Sequence, residues 1–305
     1  MNYQKNTQVH AVKPLSKDKL EFYYLDLTET LADYTSSGYG EFDSRGIPKM
    51  GKGDKAYYNQ VVIMNYGFAL HTEVLRSIHV QENKEKLKKI INWLDDNKIE
   101  IDNYAIWKSQ TPYARYGLKS GLALGITQGK AISFYLRMYE LFKNTDYLET
   151  AKKAYNFLKL SKEKGGVRRM DENGYLWFEE YPSETPSYVL NGFVYAIFGI
   201  YDAYKLNIDP QAEEDYLSCL KTLNDNIHKY DSGYWSYYCQ LLKELVMVYY
   251  QKNVHVPQMM AMYFISGNTL YKEYSNKWKK QINPLNILFV KLMYRIRYRF
   301  KFLFS

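Results

Sequence analysis

Apolar residues recur at helical spacing along most of the chain. This periodicity predicts eight helices, at residues 56–78, 83–97, 128–143, 145–160, 187–205, 210–229, 237–251 and 256–280. The connections are mostly short, so successive helices should form antiparallel hairpins. Such hairpins build either a linear solenoid or a closed toroid, and the lack of a fixed-period sequence repeat favours the toroid. The predicted fold class is therefore all-α, an α/α toroid in the form of an incomplete barrel.

A small β-hairpin is predicted near residues 166–179, where the helical spacing stops. An Asn-Gly pair at 173–174 separates two short runs of strand-like residues, which is a strong hairpin signal. The hairpin would present Glu179, Glu180 and Tyr181 at its end, at the mouth of an apolar helix. Taken alone, the two glutamates are as easily explained as a solvated acidic pair.

The pattern divides the chain into three parts. Residues 1–35 are predicted to be a partly helical N-terminal extension, residues 36–282 the toroid, and residues 283–305 a basic amphipathic tail. Within the toroid, the turn-rich residues 36–55 are predicted to form a long irregular loop, and such loops often carry function.

Composition indicates a globular protein with an excess of tyrosine. The chain has 305 residues, of which 46% are apolar, and this is enough to bury a core. It contains 33 tyrosines against 14 phenylalanines. Tyrosine packs like an apolar residue but keeps a polar tip, so it is suited to lining a wet groove. A general compositional bias explains many of the tyrosines equally well.

The net charge of +8 indicates a polyanionic partner or an anionic membrane surface. No zinc finger, RNP-like or basic-helix signature accompanies it, which argues against nucleic acid and leaves an acidic polysaccharide. Cys219 and Cys239 lack metal-ligand spacing, so we expect neither a metal site nor a disulfide framework. The polar N-terminus has no apolar signal region, and we expect a cytoplasmic protein. The sequence predicts no oligomeric state.

Several stretches, in matching order and spacing, resemble the C-terminal catalytic domain of D-glucuronyl C5-epimerases. They are ITQGKAIS (126–133), GGV (165–167), EEYP (179–182), VLNGF (189–193), GIYD (199–202) and YDSGYWSYY (230–238). The resemblance covers roughly residues 40–280. It implies an α/α toroid that acts on a glucuronate-containing acidic polysaccharide without a cofactor.

Epimerising a uronate at C5 removes the proton next to the carboxylate and returns it from the other face. The site needs a base on one face of C5 and an acid on the other. It also needs donors for the carboxylate as enolate charge develops, and it must limit bulk water. Tyrosine, with an ordinary pKa of about 10, can be the base when nearby cations lower that value. A buried glutamate with a raised pKa can act from the other side.

The resemblance implies catalytic roles for Glu180, Tyr181 and Tyr238. Tyr237 is the alternative to Tyr238 if the match slips by one residue, and core packing is the structural alternative for Tyr238.

Four further residues are candidates for substrate binding. By resemblance, Gln128 and Asn191 would be pocket or framework residues. Arg168 and Arg169 are adjacent on a predicted strand and must point to opposite faces. One of them would reach a substrate carboxylate, and the other would be exposed.

The resemblance breaks in the stretch NVHVPQMMAM (253–262). Val254 stands where the family has a catalytic tyrosine, although His255 of the same signature is kept. A valine cannot transfer a proton. Three hypotheses follow. The substrate is a different uronate polymer, or the protein is a weak or inactive relative, or the missing role is taken by His255, Tyr249 or Tyr250.

Three functions are therefore in competition. The first is a uronate C5-epimerase, and the second is a polysaccharide lyase, which shares the C5 proton abstraction but expels the substituent at C4. The third is a non-enzymatic glycan-binding or scaffold protein. Toroids serve both chemistries, so the fold does not decide between them.

The tail, residues 283–305, interleaves apolar and aromatic residues with Lys291, Arg295, Arg297, Arg299 and Lys301. Five cations argue against a membrane-spanning helix. We expect an interfacial anchor lying on an anionic membrane, at its inner face. The alternative is a final helix that packs back onto the toroid.

Overall fold

The computed structural model describes residues 7–16, 18–35 and 40–303, with side chains for all of these except Asp33, Thr35 and residues 297–303. Residues 36–39 of the loop predicted at 36–55 lie outside the described residues. So do the side chains of Arg297, Arg299 and Lys301 in the tail.

Helices make up most of the described chain. They are α1 Leu31–Thr35, α2 Gln60–Leu75, α3 Val80–Asp96, α4 Gly125–Phe142, α5 Thr145–Leu158, α6 Leu190–Lys205, α7 Ala212–Asn226, α8 Val248–Tyr250, α9 Val256–Ser266, α10 Thr269–Gln281 and α11 Pro284–Leu303. A π-helical turn, Gln251–His255, joins α8 to α9.

The strands of the described chain are short and pair with one another in antiparallel twos. They are β1 His10–Ala11 with β2 Leu25–Asp26, β3 Gly40–Phe42 with β4 Pro48–Met50, β5 Ile99–Ile101 with β6 Tyr104–Ile106, β7 Lys108–Ser109 with β8 Leu122–Ala123, and β9 Arg168–Met170 with β10 Leu176–Phe178. The predicted hairpin is the last pair, in which Trp177 faces Arg169. The prediction of a mostly helical fold with a small β-hairpin is confirmed.

The helices pack in two layers. The inner helices contact one another in series, α2 with α4, α4 with α6 and α6 with α9. Each inner helix also contacts an outer partner, so that α3, α5, α7 and α10 pack on α2, α4, α6 and α9 respectively. This is the hairpin arrangement of an α/α toroid.

The N-terminal segment packs against both ends of the helix series. Strands β1 and β2 contact α9, and the 3₁₀ turn Thr28–Thr30 contacts α2. Tyr23 stacks on Phe68 of α2 with ring centroids 3.8 Å apart. The segment therefore shares its core with the helices, and the proposed division of the chain at residue 35 stays a prediction.

Sequence explains which helices are inner and which are outer. The outer helix α3 buries Leu87, Ile90, Ile91 and Leu94, at the i, i+3, i+4, i+7 spacing of a single apolar face. The inner helix α6 is predominantly apolar and is buried along almost its whole length. At its crossing with α4, a Cβ on Gly129 would lie 2.5 Å from the Cα of Ala196. Only glycine at position 129 permits this close approach.

Two of the predicted helices are wrong. Residues 237–247 form a loop in which Tyr237 pairs with Leu245, and only Val248–Tyr250 is α-helical. Residues 256–280 form two helices rather than one. Gly267 ends α9 with φ of +73°, and the side chain of Asn268 caps α10 by accepting from the N–H of Leu270.

The tail is helical and packs through part of its surface. Val290 is buried, and the Tyr294 hydroxyl donates to the carbonyl of Leu245 at 2.6 Å. Within the part of the chain that the structure describes, no helix has both the length and the apolar character needed to cross a bilayer.

Candidate active site

A cavity of about 440 Å³ lies among the inner helices and the N-terminal segment. Helices α2, α4 and α6 each contribute lining residues, as do Val9, Leu27 and Thr30 of the N-terminal segment. The cavity brings together most of the residues that the sequence singled out, namely Glu180, Tyr181, Asn191, Tyr238, Tyr249, Tyr250 and Val254.

The β9–β10 hairpin delivers the adjacent glutamates to opposite sides. The N–H of Glu179 donates to the carbonyl of Val167, and its own carbonyl accepts from Gly125 at the start of α4. The Glu179 carboxylate forms an ion pair with Arg169, at 3.1 Å, and accepts from the Ser187 hydroxyl. Glu179 is thus part of the framework, and the next residue, Glu180, faces the cavity.

Glu180 ends a chain of hydrogen bonds. The Tyr238 hydroxyl donates to Oε1 of Glu180 at 3.0 Å, and the hydroxyls of Tyr181 and Tyr238 are 3.1 Å apart. A phenol has one proton to donate, so with that of Tyr238 on Glu180, Tyr181 must donate to Tyr238. The order Tyr181 to Tyr238 to Glu180 is a path along which protons can move.

Burial raises the pKa of Glu180 to about 7. The hydroxyls of Tyr181 and Tyr238, the Asn191 side chain and the backbone N–H of Gly192 lower the pKa of Glu180 and so oppose the rise. A carboxyl with this pKa is present in both protonation states near neutral pH, which suits a proton acceptor.

A glycine makes room for this carboxylate at the start of α6. A Cβ on Gly192 would lie 2.3 Å from Oε2 of Glu180. The first turn of a helix offers free N–H groups and partial positive charge, which favour an anion. The glycine of the VLNGF stretch therefore has a physical role, because Gly192 leaves room for the Glu180 carboxylate at the N-terminus of α6.

Two tyrosines that the sequence reasoning missed hold the ring of Tyr181. Tyr116 stacks on it with centroids 4.4 Å apart, and the Tyr113 ring lies 4.6 Å away. Both come from the excursion between β7 and β8, and Tyr113 also lines the cavity. The only signal in the sequence is the turn-forming stretch TPYARYG, which contains two tyrosines three residues apart.

The tyrosines of the site are neutral phenols at ordinary pH. Burial raises the pKa of Tyr181 and of Tyr238, and the charge of Glu180 raises both further. The same two causes raise the pKa of Tyr250. A standing phenolate is therefore not favoured, and proton removal by a phenol requires its own proton to leave at the same time.

The π-helical turn places Val254 at the cavity wall. No proton carrier stands at that position. The Tyr250 ring lies 5.7 Å from that of Tyr238, and both Tyr249 and Tyr250 line the cavity.

His255 lies outside the cavity lining. It is fully buried, its Nδ1 is 2.8 Å from the Ser236 hydroxyl, and its ring packs 5.6 Å from Trp278. Burial lowers its pKa to about 3, so the ring is neutral. Its contacts are those of a framework residue, whereas Tyr249 and Tyr250 are placed to act on a ligand.

The candidate binding residues Gln128, Arg168 and Arg169 contact other protein groups. The Gln128 carboxamide accepts from the N–H of Trp107 and donates to the carbonyl of Ala105. Arg168 pairs with Asp215 at 2.7 Å, and Arg169 pairs with Glu179 as described. None of the three lines the cavity, whereas the fourth candidate, Asn191, does.

Comparison with known proteins decides the family. The family described as D-glucuronyl C5-epimerase C-terminus matches residues 101–280, more than half of the chain. The chain belongs to this family. The resemblance found in the sequence is therefore confirmed.

Two relatives show how far the similarity extends. The chain is 31% identical over 198 residues to an uncharacterized protein, MJ1128, of Methanocaldococcus jannaschii, covering 63% of this chain and 64% of that protein. It is 34% identical over 128 residues to the D-glucuronyl C5-epimerase of Caenorhabditis elegans, covering 38% of this chain and 21% of that enzyme. The chain thus spans under two thirds of the length of either relative.

Proposed function

We propose that this protein is a uronate C5-epimerase that acts on a glucuronate-containing polysaccharide. The observation that carries the proposal is the hydrogen-bonded chain Tyr181–Tyr238–Glu180 in the wall of a cavity. The family and the nematode relative that is named as a D-glucuronyl C5-epimerase support it.

In the proposed reaction, Tyr181 takes the C5 proton while its own proton passes to Tyr238 and that of Tyr238 passes to Glu180. The net result is a protonated Glu180 and a substrate enolate, with no free phenolate formed on this side. Tyr250 then donates its proton to the other face of C5, replacing the role that the family tyrosine would have at Val254. Exchange of protons with solvent restores Glu180 and Tyr250 for the next cycle.

Deuterium exchange tests this proposal. The protein is incubated in deuterated water with a polymer of alternating glucuronate and N-acetylglucosamine, and the product is examined by NMR. Deuterium at C5 with inverted configuration is the expected result. Absorbance of an unsaturated uronate would identify a lyase instead. Binding without either product would identify a glycan-binding protein, the function that Val254 favours.

We further propose that the tail helix α11 binds an anionic membrane. It carries Leu285, Leu288, Leu292 and Ile296 at spacings of three and four residues, and all four are exposed. Residues 283–305 contain cations and no acidic residue. An apolar stripe bordered by cations is the pattern of an interfacial helix.

A further inference from the structure

The cavity wall carries polar groups among apolar ones, but little charge. Of its lining residues, which all belong to the described part of the chain, Glu180 is the only acid and none is lysine or arginine. A uronate carboxylate still needs donors, most of all when enolate charge develops beside it. Besides tyrosine, asparagine is the residue type with a polar group that recurs in the lining, as Asn59, Asn65, Asn191 and Asn253.

Three of these asparagines have their side-chain oxygen held by a protein donor. Oδ1 of Asn59 accepts from the N–H of Val62 at 3.2 Å, and Oδ1 of Asn253 accepts from the N–H of Val9 at 3.1 Å. Oδ1 of Asn65 accepts from Nζ of Lys130 at 2.8 Å. Each of these contacts fixes the orientation of the carboxamide, because an N–H group needs an oxygen rather than another NH2. The NH2 end of each side chain is thereby turned away from its protein donor.

Lys130 lies directly behind Asn65, on α4. Its Nζ is 3.5 Å from the centroid of the Tyr195 ring and 5.4 Å from that of Tyr23, so aromatic faces surround it. Among the described residues no salt bridge neutralises it, and when Lys130 is protonated its charge polarises the Asn65 carboxamide so that the NH2 is a stronger donor. Burial lowers the pKa of Lys130 well below its usual range, and an anion bound at Asn65 would favour its protonated form.

We propose that the NH2 group of Asn65 binds the sugar carboxylate, with Lys130 as the positioning residue behind it, and that the NH2 groups of Asn59 and Asn253 are further donors to the bound sugar. The identity of the ligand as a uronate rests on the proposed function. In this site no arginine or lysine contacts the substrate directly. The amine of Lys130 instead contacts Asn65, which contacts the substrate carboxylate.

The test compares two probes in calorimetric titrations. One is a hexasaccharide of alternating glucuronate and N-acetylglucosamine, and the other is the same hexasaccharide with its carboxyl groups reduced to alcohols. The wild-type protein should bind the first more tightly. Asn65→Asp replaces the donor by an acceptor, and the new carboxylate can pair with Lys130, so the fold should be kept. We expect it to weaken binding of the uronate probe about 10- to 100-fold and to leave binding of the reduced probe unchanged.

Two further variants sharpen the result. Lys130→Met keeps the aliphatic stem but removes the group that holds Oδ1 of Asn65, and it should lower the preference for the uronate probe. Asn144→Asp makes the same charge change at the exposed N-cap of α5 and should have no effect on either probe.

Equal weakening of both probes by Asn65→Asp would overturn the site, and so would a wild-type protein that shows no preference for the uronate. The deuterium exchange assay is a separate measurement. A protein that prefers the uronate but exchanges no deuterium would keep this site while refuting the proposed function.

Discussion

Glu179 and Glu180 are neighbours in sequence but differ in their surroundings. Both are buried, and burial raises the pKa of each to about 7. Glu179 forms an ion pair with Arg169 and accepts from the Ser187 hydroxyl. Glu180 instead accepts from the Tyr238 hydroxyl and faces the cavity. The alternation of side chains along an extended segment explains the split. Alternation could predict that the two glutamates would have different surroundings, but only the resemblance singled out Glu180.

Tyr181→Phe should abolish most of the exchange activity and leave the fold intact. The variant removes the hydroxyl that contacts Tyr238 and keeps the ring that packs between Tyr113 and Tyr116. Loss of a group that transfers a proton typically costs about 100- to 10,000-fold. The rate of C5 deuterium incorporation measures the effect, and circular dichroism checks the fold. Activity equal to that of the wild type would remove Tyr181 from the proposed reaction.

Glu180 should link activity and stability to pH in opposite directions. As a proton acceptor it must be ionised, so the exchange rate should fall as pH drops below about 7. Its folded pKa lies above the unfolded value, so its contribution to stability is fully present below the unfolded pKa and is lost as pH rises through the folded one.

Glu180→Gln separates these two effects. The variant should be inactive, yet at pH 8 its free energy of unfolding should exceed that of the wild type by about 3 kcal/mol, and at pH 5 by much less. Urea unfolding at the two pH values is the measurement. The same substitution at the exposed Glu149 serves as control and should show no such difference. A gain of equal size at both pH values would mean that the ionisation of Glu180 is not its cause.

Val254→Tyr should raise the exchange rate by about 10-fold or more, since it adds a proton carrier at the cavity wall. Val254→Phe adds the same ring without the hydroxyl and is the matched control. If the two variants behave alike, the position has no catalytic role in this chain, and the proposed assignment to Tyr250 gains support.

At the scale of elements, sequence predicted the long helices well and their breaks poorly. Helices α2 to α7 all follow runs in which apolar periodicity is strong. Residues 237–251 show a similar periodicity, but residues 237–247 fold as a loop, because Trp235 and Val246 form a small second core with Val290 of the distant tail helix. That pairing depends on residues over 40 positions away, so local spacing could not predict it. The Gly267-Asn268 break carried a recognisable stop and start signal.

The candidate site followed the same rule. Glu180, Tyr181 and Tyr238 come from motifs, and the structure places them together. Tyr113 and Asn65 belong to none of the motifs, and Lys130 lies in the ITQGKAIS stretch without being singled out there. Only the packing of α2, α4 and the β7–β8 excursion brings these residues to the cavity or behind it. Sequence alone cannot predict a site residue that no motif singles out, because its position depends on how the helices and strands pack.

The GIYD stretch resembled the family, and the structure shows what its aspartate does. Asp202, its last residue, forms a buried ion pair with Arg137 of α4 at 2.6 Å and accepts from the Tyr24 hydroxyl. Arg137 also donates to the carbonyl of Phe22. One ion pair therefore joins two inner helices to the N-terminal segment.

Arg137→Met should destabilise the protein strongly. It leaves Asp202 buried without its cation, and breaking a buried pair in this way costs about 3–5 kcal/mol. Urea unfolding should show the loss. Lys221→Met removes one partner of the exposed pair with Asp225 and should cost at most about 1 kcal/mol. Similar losses in the two variants would mean that the buried pair does not hold these elements together.

At the scale of the whole molecule, the N-terminal segment and the helix α11 play different parts: one lines the cavity and the other leaves an apolar face exposed. Val9 of the N-terminal segment lies in the cavity wall, and its N–H donates to Oδ1 of Asn253. The segment therefore closes the side that the helix series leaves open. The C-terminal helix instead packs by one face, through Val290 and Tyr294, and leaves its other face uncovered. This second face has no partner within the described chain that would bury its leucines.

The uncovered face of α11 should bind anionic membranes. Leu288 and Leu292 are 67% and 50% exposed, and Lys291 and Arg295 lie beside them. In flotation experiments the full chain should rise with anionic liposomes and not with neutral ones, and salt should weaken binding, because each cation near the surface contributes about 1 kcal/mol.

Variants within the full chain test which residues are responsible. Leu288→Ser combined with Leu292→Ser removes part of the apolar stripe, and Lys291→Glu reverses one charge, so each should reduce flotation. Leu217→Ser changes a leucine that is 57% exposed on α7 and should have no effect. If the full chain floats with neither kind of liposome, α11 does not bind membranes. If it elutes as an oligomer that the leucine substitutions dissociate, α11 covers a second copy of the chain rather than a lipid surface.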